Sequence, residues 1–74
     1  MKPMKRYAIV IEDAGTNLVA YVPDLPGCVA TGESEREVER LIREAISIHL
    51  EGLAEGGLPI PEPSSRVDYV EIDV

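Results

Sequence analysis

Residues 34–57 restrict the folds open to this chain more than any other stretch, because they read as one capped amphipathic helix of about six turns. Ser34 is a good N-cap residue, and Glu37, three positions on, completes a Ser-x-x-Glu capping box. Gly56-Gly57 offers a left-handed stop, with Leu58 placed for the contact that closes a Schellman motif. At helical spacing Val38, Leu41, Ile42, Ala45, Ile46, Ile48, His49, Leu50 and Leu53 share one broad arc. Glu37, Arg40, Arg43, Glu44, Ser47, Glu51 and Glu55 fill the opposite side. A helix of this kind needs a second layer under its apolar face.

The flanking residues supply strands for that layer. Residues 6–12 (RYAIVIE) are apolar on both faces, as a central strand would be. Residues 13–17 form a hairpin loop in which Gly15 or Asn17 can take positive φ. Residues 18–22 (LVAYV) return, and residues 28–31 form a short third strand. Between them Pro26-Gly27 fits the two central positions of a type II turn, since proline presets φ and glycine accepts the positive value. After the helix, residues 58–63 (LPIPEP) carry proline at every second position, which favours an extended connector, and Ser64-Ser65 is a loop. Residues 67–74 (VDYVEIDV) alternate from Val70 onward, with Glu71 and Asp73 outward, and are expected to form a last, edge strand.

The expected architecture is thus α+β: a single domain over residues 1–74, β-β-β-α-β, a two-layer sandwich of an antiparallel sheet and one long helix. The last strand is expected beside the first, by a right-handed crossover, or on a neighbouring subunit. A helix of about 31 Å outreaches a seven-residue strand of about 23 Å. The overhang carries Leu50 and Leu53. A partner chain, a second copy or the C-terminal segment is expected to cover it, which makes a homodimer or higher homo-oligomer a natural expectation.

Composition narrows the function classes. Fourteen acidic residues face seven basic ones, a net −7, in a chain of 74. Lys2, Lys5 and Arg6 lie in the first six residues, so residues 7–74 hold four basic against fourteen acidic residues, a net −10. Such a surface repels phosphate backbones and attracts basic partners, which disfavours direct nucleic-acid binding. The three N-terminal cations are better read as solubilising than as a phosphate-binding arm. The lone Cys28 allows neither an intrachain disulfide nor a thiolate metal cluster. No apolar run exceeds five residues, so neither a membrane span nor a signal-peptide core is expected, and the cytoplasm is the default location.

Few residues invite a chemical reading. His49, the sole histidine, has only Ala45, Ile46, Gly52 and Leu53 at its helical neighbour positions, so it is read as a packing residue rather than a catalytic base or ligand. Cys28 has no sequence-adjacent basic residue to activate it and is read as a small core residue. Glu12, Asp13 and Asp24 can lie at one end of the sheet on successive turns, where gathered carboxylates bind a divalent ion. That supports an alternative function as a small metal-dependent nuclease or hydrolase. A third option is a self-associating structural domain. The pairs Glu39–Arg43 and Glu37–Arg40 mark a solvated helix face, and the proline segment lacks a P-x-x-P ligand motif.

The run Val22-Pro23-Asp24-Leu25-Pro26-Gly27-Cys28, followed by Thr31-Gly32, the Ser34 helix start and the exit Gly57-Leu58-Pro59-Ile60-Pro61-Glu62-Pro63, resembles the HicB-like antitoxin family. The resemblance spans about residues 7–64 and implies a β-β-β-α-β domain likened to a partial double-stranded-RNA-binding fold. It also implies a non-enzymatic role: binding and neutralising a small basic HicA-type toxin that cleaves messenger RNA. No catalytic residue, cofactor or metal is implied. The candidate partner or oligomer contacts are Asp24, Leu25, Pro26 and Gly27 in the motif loop, and Leu50 and Leu53 on the overhang. Family antitoxins often add a C-terminal helix-turn-helix or ribbon-helix-helix module for operator binding; these 74 residues hold no pattern for either, so operator binding is not expected of them. Val22 stands where the family frequently has an aromatic residue.

Overall fold

The computed structural model describes residues 4–74; Lys2 of the basic lead-in lies outside the described residues. Strands β1 (Val10–Asp13), β2 (Leu18–Tyr21) and β3 (Val29–Gly32) precede helix α1 (Glu35–Glu55). The strands form one antiparallel sheet in the order β1-β2-β3, with Val10 opposite Tyr21 and Tyr21 opposite Val29. This is the expected α+β arrangement of three antiparallel strands and one long helix.

Turn chemistry sets the register. Asp13 Oδ1 accepts from the Gly15 N–H at 2.8 Å, and Gly15 takes the positive φ of 96° that the β1–β2 hairpin needs. At the other end the Cys28 N–H donates to the Leu25 carbonyl at 3.1 Å with Gly27 at φ 84°, the bond and backbone of a type II turn over Leu25-Pro26-Gly27-Cys28. A second turn, from the Leu25 N–H to the Val22 carbonyl at 3.0 Å, folds the motif loop onto itself.

The helix ends follow their sequence signals. Ser34 Oγ accepts from the Glu37 N–H at 3.1 Å. The reciprocal bond to the Glu37 carboxylate is absent among the described residues, so half of the capping box forms. At the C-terminus Gly57 (φ 69°) donates to the Ala54 carbonyl and Leu58 to the Leu53 carbonyl, the paired bonds of a Schellman motif. Among the described residues no helix is long and apolar enough to cross a membrane.

Helix α1 packs on β3 and β2. Ala20, Val22, Leu25, Cys28, Val38 and Ile42 form the buried core, with Tyr7, Ile9, Ile11, Leu18, Ala30, Ala45, Ile46 and Leu50 half-buried against it. Ile48, placed in the apolar arc by spacing, is 68% exposed, because three short strands cover only a narrow stripe of the helix. The tightest approach is at Gly32: a Cβ there would stand 2.9 Å from the Val38 backbone nitrogen. Glycine lets the end of β3 touch the first turn of α1, which no larger residue does without displacing backbone.

The fourth strand is a correction. Residues 58–74 carry no strand or helix. Residues 67–74 alternate as a strand does, but a strand exists only with a ladder partner, and none pairs with them here. The overhang is real: α1 runs about 31 Å over four-residue strands of about 13 Å. Leu50 and Leu53 are nonetheless half-buried. Past Gly57 the chain reverses, and the Tyr7 hydroxyl donates to the Pro61 carbonyl, bringing the proline segment back to the sheet.

Gly32→Ala should lower the stability in chemical denaturation by about 1–3 kcal/mol, since backbone has to give way. Ser34→Ala should cost about 1 kcal/mol through the lost cap. Equal midpoints for Gly32→Ala and the parent chain would show that the close approach does not form in solution.

Candidate functional site

The motif loop and the segment after the helix are one assembly. Asp24, half-buried, accepts four hydrogen bonds from residues forty and forty-one positions away. Oδ2 accepts from the Ser64 N–H at 2.9 Å and the Ser65 N–H at 3.0 Å. Oδ1 accepts from the Ser65 hydroxyl at 2.7 Å and the Ser64 hydroxyl at 3.2 Å. The Ser65 N–H, then the Ser65 hydroxyl and the Ser64 N–H, hold the Asp24 carboxyl down to about 2, because each bond favours the ionised form. Together with the Lys5–Glu62 ion pair at 2.6 Å and the Tyr7–Pro61 bond, this straps residues 61–65 across one end of the sheet. The Glu62 hydrogen bond raises the Lys5 ammonium.

Two clefts flank the helix. The larger, about 680 Å³, lies between residues 4–9 and α1. Tyr7, Ile9, Ile42, Ile46 and Leu50 give it an apolar floor, while Lys5, Arg6 and Arg43 add positive charge and Glu39 one negative group. Arg6 and Arg43 make no ion pair among the described residues, where the pairs found are Lys5–Glu62 and Arg40–Glu44, the latter replacing the helix-face pairs expected from spacing. The smaller cleft, about 300 Å³, is lined by Gly27, Cys28, Val29, Ala45, Ile48 and His49.

The candidate contacts therefore separate. Leu50 lines the large cleft and Gly27 the small one. Pro26 and Gly27 are exposed, Leu53 is half-buried, and Asp24 works as a latch. Leu25, at 1% exposure, is enclosed in the core and presents no side-chain surface, so its place in the motif is explained by folding. His49 is half-buried and Cys28 buried; they share the small cleft without a hydrogen bond among the described residues, and burial pushes the Cys28 thiol up, against a reactive thiolate.

The carboxylate trio is corrected. Asp13 pairs with Leu18 at the hairpin end of the sheet, whereas Asp24 follows Tyr21, which sits at the other end opposite Val10. Three residue steps along the ladder, about 10 Å, already separate the two levels, and Asp24 lies beyond. Its oxygens are also engaged by Ser64 and Ser65. Among the described residues no group of three or more His, Cys, Asp or Glu is gathered for a metal ion. The sequence showed Asp24 and Ser64-Ser65 separately; nothing in their spacing marked them as partners.

A carboxyl-carbon NMR titration should give Asp24 a midpoint at about 2, with the Ser64 and Ser65 amide signals moving in step. The folded-state value lies below the ordinary 3.8, so the latch stabilises the strap above about pH 4 and is lost as pH falls through about 2. Asp24→Ala should release the strap at neutral pH, seen as faster amide exchange at Ser64 and Ser65. A midpoint at the ordinary value would mean that the carboxylate is free.

The comparisons with known proteins fit this picture. The sequence model of the family described as HicB-like antitoxin of bacterial toxin-antitoxin systems matches residues 7–73. An uncharacterised 14.9 kDa protein from the rep-hol intergenic region of Haemophilus phage HP1 is 36% identical over 64 residues, covering 86% of this chain and 48% of the phage protein. The chain thus spans about half the length of that relative. A UPF0150 protein of Thermoplasma acidophilum is 34% identical over 63 residues, covering 85% of this chain and 91% of its own. No solved structure matches, and the likeness to a double-stranded-RNA-binding fold rests on the sequence resemblance alone. With the match running through the strands, the latch loop, the helix and the strap, the chain belongs to the HicB-like antitoxin family.

Proposed function

We propose that this chain is a non-enzymatic binding module that docks on, and neutralises, a small basic HicA-type toxin that cleaves messenger RNA. Membership of the family suggests a toxin–antitoxin role. The observation that carries the finer reading is the distribution of acid. Glu35, Glu39, Glu44, Glu51 and Glu55 are all exposed along α1, and Glu12, Asp13 and Glu33 are exposed near the sheet's hairpin end. Glu35 suits the positive end of the helix dipole. Glu55 does not: it sits in the last turn, where no basic residue balances it and the dipole disfavours an anion. An acid at such a position supports a surface that meets cations. A ribonuclease must hold a phosphate backbone with Lys and Arg, so an acidic face both attracts it and competes with its substrate.

The test pairs purified chain with a basic HicA-type toxin and measures messenger-RNA cleavage. Stoichiometric chain should abolish cleavage, and the association rate should fall roughly tenfold or more between low and high salt. Glu44→Lys with Glu51→Lys should slow association without unfolding the domain, both side chains being exposed. Cleavage undiminished by excess chain would reject the reading.

A further inference from the structure

We infer that residues 67–74 form a strand only in a dimer, each copy laying this segment along the free edge of β1 in the other and filling the large cleft beside it. Three observations converge on this exchange.

The segment is built to pair and has no partner. Val70 is 78% exposed and Ile72 70%, with Val74 also bare, although these three alternate with Glu71 and Asp73 as a half-buried strand would. Meanwhile β1 pairs with β2 on one side only, so its other edge presents unpaired backbone groups. The helix packs on β3 and β2, and the apolar cleft lies against residues 4–9, which lead into β1. A strand added there would bury one face against Tyr7, Ile9, Ile46 and Leu50.

Charge selects this edge over the other. Lys5, Arg6 and Arg43 line the large cleft, and the segment carries Asp68 on the same side as Val70, Ile72 and Val74, with Glu71 and Asp73 along its other side. The small cleft on the β3 side offers no lysine or arginine.

The strap selects a second copy over the segment's own sheet. Pro61 and Glu62 meet Tyr7 and Lys5, but by Ser64-Ser65 the chain is fastened to Asp24, in the connection between β2 and β3. Residues 67–74 therefore set out from the β2–β3 connection and not from the β1 edge, and in this structure they lie unpaired. Reciprocal exchange between two copies closes with two-fold symmetry and pairs the β1 edge of both. This inference stands apart from toxin binding and does not rest on it.

The test uses the intact chain. Light scattering should give a dimer at micromolar concentration that weakens as salt is raised. Ile72→Asp and Val70→Asp lie outside the folded core and should each raise the dimer dissociation constant at least about tenfold. A sample mixed from two isotope labels should show contacts between residues 70–74 and β1 that run between subunits. Arg43→Glu, on an exposed part of the helix, should weaken the dimer in the same direction. A monomeric parent chain, a dimer indifferent to both tail substitutions, or contacts confined to one subunit would each overturn the exchange.

Discussion

Everything in this molecule depends on one contact, the seat of Val38 against Gly32. Val38 is wholly buried, and the missing side chain of Gly32 lets the end of β3 reach the helix backbone itself. That contact fixes the start of α1 over β3, and Ile42, one turn on, carries the packing toward the sheet's other end. From there the helix outruns its support. Three four-residue strands cannot shelter twenty-one residues of helix, and after Gly57 the chain turns back, with the Leu58 N–H donating to the Leu53 carbonyl. The strap that follows is held by Asp24 at one end and by Lys5 and Tyr7 at the other.

Local rules carried the sequence reading as far as they reach. Ser34, Gly57, Gly15 and the Pro26-Gly27 turn each take the conformation their chemistry dictates, because each depends on neighbours within a few residues. The strand expected over 67–74 marks the limit. Alternation states that a segment can pair, and it names no partner. The Asp24 latch was hidden for the same reason: a carboxylate and two serines forty residues apart look like ordinary loop residues until the fold joins them. The metal reading of Glu12, Asp13 and Asp24 failed on register, since one strand length separates loops that the sequence presents as successive.

The site divides in a way the motif alone does not suggest. The Pro-Asp-Leu-Pro-Gly run spends its residues on structure: Leu25 on the core, Pro26-Gly27 on the turn, Asp24 on the strap. What remains for recognition is the outward face of the helix and the open side of β1. These differ in kind. The helix face is acidic and hydrated, and suits a partner found by long-range attraction. The β1 side is apolar with basic residues around it, and suits a short-range, strand-by-strand fit.

These two surfaces are compatible because they lie on different sides of the chain's charge balance. Three of the six cations among the described residues, Lys5, Arg6 and Arg43, line the large cleft, and the other three, Arg36, Arg40 and Arg66, are outnumbered by the acids around them. An acidic segment seated there neutralises the one region that would repel a basic partner. The field of the remaining surface then becomes more uniformly negative. In the proposed pair, self-association through β1 and attraction of a cationic protein along α1 would therefore reinforce one another. Each copy in such a pair would present its helix face unobstructed, with the apolar cleft closed and the β1 edge paired.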